Sequence, residues 1–80
     1  MGNKYENDSE PGKRVHQNVD IILAKKEMRV SQLTAAMGLK HGGAFYTWFR
    51  AKRGPSDAQL HMLAEALDVK IEDLQAEVDA

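Results

Sequence analysis

Four of the five residues from Phe45 to Phe49 are aromatic, and they include the chain's only Trp, both of its Phe and one of its two Tyr. A chain of 80 residues can bury one small core and has no room for a second. This one stretch must therefore supply most of the large side chains of that core. Phe45, Trp48 and Phe49 stand at i, i+3 and i+4, which places them on one side of a helix and Tyr46, Thr47 and Arg50 on the other. The expectation is a helix that begins within Lys40–Gly43, runs to about Ala51 and is held down by an aromatic inner face.

Helical spacing recurs along the chain. Val15, Val19, Ile22 and Leu23 form a stripe on a helix from Lys13 to about Glu27. Leu33, Ala36 and Met37 face inward on a short helix from Val30 to about Met37. Gly38 follows where a helix end takes a left-handed residue, and Leu39 returns to the core. Ser56 with Gln59 three residues on is a capping-box pattern, and Asp57 suits the positive end of the helix it opens. Leu60, Leu63, Ala64 and Leu67 make that helix's buried stripe, while Ile71, Leu74 and Val78 give the inward side of a last helix. The predicted fold class is all-α, a compact bundle of five short helices. The helical domain occupies 13–80, behind a polar, flexible arm at 1–12 in which Pro11 and Gly12 interrupt the pattern.

Composition narrows the functional classes. With 42% hydrophobic and 29% charged residues the chain reads as globular. No apolar run approaches the roughly 18 residues of a membrane span, and the N-terminus lacks a signal-peptide core. Glu6 stands where a myristoylation signal takes Ser or Thr. Without Cys there is neither a disulfide framework nor a thiolate zinc site, and His16, His41 and His61 lack ligand spacing. No nucleophile with a base, phosphate-binding Gly loop or coherent carboxylate pair is present. The expectation is a cytoplasmic protein that is not an enzyme, with no metal, cofactor, membrane or small-molecule substrate.

Net charge is −1, yet the charges are segregated. Residues 24–53 carry seven cations (Lys25, Lys26, Arg29, Lys40, Arg50, Lys52 and Arg53) against Glu27 alone, whereas residues 54–80 carry seven carboxylates against Lys70. The screening length near 0.15 M salt is about 8 Å, so a partner meets the local patch rather than the total.

A helix, a Gly turn and a second helix make a helix-turn-helix, and residues 19 to 74 resemble the lambda-repressor/Cro-like (XRE-like) helix-turn-helix family. The resemblance rests on Leu33-Thr34-Ala35-Ala36-Met37-Gly38-Leu39, on Phe45 and Trp48 as inward residues of the recognition helix, on "AKRGPS" and on "LHMLAEALDVKIEDL". Phe45 and Trp48 fit with one residue inserted in the turn. Thr34 stands where the family favours Ala. Where many members pair an Arg of the first helix with a Glu just after the recognition helix, this chain has Leu23 and Phe49, so an apolar contact is expected instead of an ion pair.

The resemblance implies double-stranded DNA as partner, with the third helix in the major groove, and a transcriptional regulator of the repressor kind or the DNA-binding domain of a longer protein. Family members often form homodimers. Candidate base readers are Lys40, His41, Tyr46, Thr47 and Arg50; candidate phosphate contacts are Gly42, Gly43, Arg50, Lys52 and Arg53. The alternative is the same fold used as a protein interaction module through its acidic last third.

Overall fold

The first helix starts earlier than the pattern of apolar residues suggests. In the computed structural model, which describes residues 4–40 and 43–78, α1 spans Glu10–Lys25. Ser9 caps it, accepting from the Gly12 N–H at 3.1 Å, and Glu10 suits the positive end. Pro11 is tolerated because the first turn of a helix has no partner for its missing N–H. Residues 10–12 thus belong to the helix and not to an arm. Gly12 is there for its size: a Cβ at this position would lie 2.5 Å from the Phe49 carbonyl carbon, and nearer still to its oxygen.

The remaining helices are α2 (Val30–Ala36), α3 (Tyr46–Arg50), α4 (Asp57–Leu67) and α5 (Ile71–Gln75), and no strand occurs among the described residues. α2 ends in a Schellman turn, with Leu39 N–H on Thr34 O and Gly38 N–H on Ala35 O, both at 3.0 Å. Gly38 takes the left-handed φ of 75° that this turn requires. Both halves of the α4 capping box form: Gln59 N–H donates to Ser56 Oγ at 3.2 Å, and Ser56 N–H donates to Gln59 Oε1 at 2.9 Å.

α1 packs against α3 and α5, while α4 packs against α2 and α5. The core joins Val15, Val19 and Leu23 of α1 to Leu33, Phe45, Phe49, the α4 stripe Leu60, Leu63, Ala64 and Leu67, and Leu74. Leu23 and Phe49 are therefore both buried in the same apolar cluster. Ala36 is exposed and Thr34 is buried instead; the inward side of α2 runs through 30, 33, 34 and 37, a helical stripe that leaves Ala36 outside. The Thr34 hydroxyl is satisfied by donating to Ser31 O at 3.2 Å. Asn18 is buried too, its amide within 2.9 Å of Leu74 O and 2.8 Å of Ala76 O. It thereby occupies carbonyls that the end of α5 leaves open. Val78 lies beyond α5 and is half-buried.

Candidate nucleic-acid interface

The expected recognition helix is shorter than its sequence suggests. Gly43, Ala44 and Phe45 form a tight turn whose carbonyls accept from Tyr46, Thr47 and Trp48 N–H at 3.2, 3.3 and 3.1 Å, all of the i to i+3 type. The α-helix begins only at Tyr46, with no side-chain cap. Glycine is costly in a helix, and Gly43 and Ala44 have no capping side chain. Gly43 therefore precedes α3 and does not open it. Gly43 is exposed, and a Cβ there would meet nothing within 4 Å. His41 and Gly42 lie outside the described residues.

Successive helical residues are about 100° apart around the axis. With Phe45 and Phe49 facing inward, Tyr46 and Trp48 fall about 80° to either side, Thr47 points directly away and Arg50 lies about 120° round. Burial follows that arithmetic. Phe45 and Phe49 are 1% and 0% exposed, Tyr46 and Trp48 are half-buried, and Thr47 and Arg50 are exposed. Trp48 is thus a flank of the aromatic face and not one of its centres, meeting Phe45 edge-on at 6.4 Å. Tyr46 is the opposite flank and not an outward residue; its ring lies 4.4 Å from that of Phe45 and 5.6 Å from that of His16. The Thr47 hydroxyl donates to Ala44 O at 2.7 Å, which holds its side chain against the turn.

The C-terminal end of α3 is tied to the start of α1. The Phe49 carbonyl accepts from Ser9 N–H at 3.0 Å and from the Ser9 hydroxyl at 3.3 Å. Just beyond α3, Gly54 has φ of 73°, and its backbone passes so close to Gly12 that a Cβ would come within 3.0 Å of Gly12 N. Lys52 and Arg53 stand exposed on this tightly held connection.

All seven cations of residues 24–53 are exposed: Lys25, Lys26, Arg29, Lys40, Arg50, Lys52 and Arg53. None has a carboxylate partner among the described residues, where the ion pairs are confined to Lys4, Asp8, His16 and Asp20. The carboxylates of α4, α5 and the segments next to them (Asp57, Glu65, Asp68, Glu72, Asp73 and Glu77) are also exposed. Folding therefore cancels none of these seven cations with a carboxylate among the described residues.

The family profile of the Cro/C1-type HTH DNA-binding domain matches residues 18–76. The chain belongs to this family. Its members are DNA-binding domains and not enzymes. The matched span of this Cro/C1-type domain takes in α2 to α5 and the C-terminal half of α1, and leaves out Tyr5, Asp8, Ser9, Gly12 and His16. No curated protein and no solved structure matches the chain significantly. No helix among the described residues is long and apolar enough to cross a membrane.

Sequence reasoning missed the polar group beside α3, formed by Tyr5, Asp8, His16 and Asp20. Its one visible signal is the i, i+4 spacing of His16 and Asp20; Asp8 lies across Pro11 and Gly12, which read as a break.

Proposed function

We propose that this Cro/C1-type domain binds duplex DNA sequence-specifically with α3 in the major groove. It would act in the cytoplasm as a transcriptional regulator of the repressor kind, alone or as the DNA-binding part of a longer protein. The observation that carries this reading is the set of seven exposed cations, none paired with a carboxylate among the described residues. Cations that fold without internal partners remain available for phosphates, and their binding releases the counterions condensed on DNA.

In this reading Thr47 and Arg50 project furthest from the core and enter the groove, with Lys40 and His41 at its approach. Tyr46 contributes the edge of its ring that the core does not cover. Arg50, Lys52 and Arg53 hold phosphate, together with the backbone at Gly42 and Gly43. Direct readout by so few side chains leaves part of the specificity to DNA shape.

Selection of bound sequences from a random duplex pool tests the proposal. Enrichment of a short motif is expected, and a palindrome would place a homodimer on the site. A pool that emerges unenriched would refute sequence-specific binding.

A further inference from the structure

His16 is a buried polar side chain on α1, 3% exposed, and it stands where the N-terminal segment meets α3. Its ring is stacked on that of Phe49, centroids 4.4 Å apart and planes 9° apart, and it touches Tyr46 at 5.6 Å. On the other side Tyr5 meets it edge-on at 4.8 Å. Nδ1 lies 2.8 Å from Asp8 Oδ2, and the Asp8 side chain is itself only 5% exposed. A carboxylate can only accept, so this bond puts a proton on Nδ1 and fixes the plane of the ring. Asp20 anchors the segment further: it accepts from the Tyr5 hydroxyl at 2.7 Å and pairs with Lys4 at 2.6 Å.

α3 has five residues, too few to hold a helical shape or direction without packing. Its seat on this side is the face of His16. We infer that Lys4–Asp8 is a positioning strap for α3: by fixing the His16 ring it sets the seat of Phe49 and Tyr46, and so the angle at which Thr47 and Arg50 meet DNA. The strap lies wholly outside the segment that matches the family. Asp8 and His16 act through Phe49 and Tyr46 and need touch no nucleic acid. The inference rests on the DNA-binding reading for its consequence, but its structural half can be read without DNA.

The test uses the full chain with Asp8→Ala, Asp8→Asn and Tyr5→Phe. Two quantities are read: backbone amide chemical shifts of Thr47 and Arg50 without DNA, and the ratio of affinities for a selected duplex and an unrelated one. Asp8→Ala is expected to move both amide signals and to lower the ratio about tenfold, the equivalent of one charge-assisted hydrogen bond. The salt dependence of binding should stay as in the parent chain, because no phosphate contact is removed. Asp8→Asn keeps an acceptor for Nδ1–H and should restore most of the ratio. If Asp8→Ala unfolds, Tyr5→Phe, which removes the hydroxyl's bond to Asp20, carries the comparison with an expected drop of about threefold. Unmoved amide signals, or an unchanged ratio in a folded variant whose only defect is a lower melting temperature, would overturn the strap. So would failure of Asp8→Asn to recover. Absence of any duplex binding by the parent chain would instead sink the DNA reading, and the amide signals would still decide whether the strap positions α3.

Discussion

Replacing Gly12 by Ala sets local and tertiary structure against each other. Ala is better than Gly inside a helix by about 1 kcal/mol, so local propensity alone makes Gly12→Ala stabilising. The packing of α1 reverses the sign. The added Cβ would stand 2.5 Å from the Phe49 carbonyl carbon and 2.8 Å from its Cα, both backbone atoms that cannot rotate aside. Carbon pairs rest at about 3.5–4.0 Å, so the two helices would have to separate by about 1 Å. That movement stretches the Ser9 N–H bond to Phe49 O from 3.0 Å and the longer hydroxyl bond at 3.3 Å beyond useful length. Overpacking costs about 1–3 kcal/mol and each lost bond about 1 kcal/mol. A net loss of about 2–4 kcal/mol follows, a large share of the roughly 4–12 kcal/mol that 80 residues hold. Urea unfolding measures it directly, and the melting temperature should fall by about 10–20 °C. Gly43→Ala serves as the control, since a Cβ there meets nothing within 4 Å, and should change stability by no more than about 0.5 kcal/mol. A Gly12→Ala protein as stable as the parent would refute the contact between α1 and the end of α3.

Phe49→Ala should cost about 3–5 kcal/mol and leave the domain largely unfolded at 37 °C, whereas Trp48→Ala, which removes a half-buried flank, should lose about half as much; equal losses in urea titrations would contradict the placement of the two rings. Tyr5 should titrate late. Its phenol is raised from 10.0 to about 12 by burial, then by its hydrogen bond to Asp20 and the charges of Asp20 and Asp8. Because the neutral phenol is the favoured form in the fold, its contribution to stability is complete below pH 10 and is lost as pH rises towards 12. A phenolate absorbance titration, assigned by comparison with Tyr5→Phe, should show this late step; ionisation of Tyr5 near 10 would mean that the strap does not cover it.

Local grammar made much of this fold legible. Gly38 and the Ser56–Gln59 box announce helix ends through chemistry confined to neighbouring residues, and the leucine stripe of α4 follows from periodicity alone. The difficulty lay where distant residues decide. Pro11 and Gly12 resemble a break, but Pro suits a first turn, and Gly12 answers to a backbone 37 residues further on, at Phe49. Asn18 finds its acceptors on Leu74 and Ala76, which no spacing rule connects to it. The inward set of α3 was legible only in outline. The i, i+3, i+4 rule admits Phe45, Trp48 and Phe49 alike, and the position of α1 then centres the face on the two Phe. The exposed cations of the candidate site were legible as charge, because exposed cations need no partner in the fold. The geometry of the candidate site was not legible, because the seat of α3 comes from His16 and from a segment before the periodic pattern begins.

DNA binding by this domain rests on its exposed cations meeting phosphate. Affinity for a labelled duplex should be measured across salt concentrations from about 50 to 200 mM, as log K against log salt. With four to six cations on phosphates, the slope should be about −4 to −5 per monomer. A slope near zero would contradict that contact.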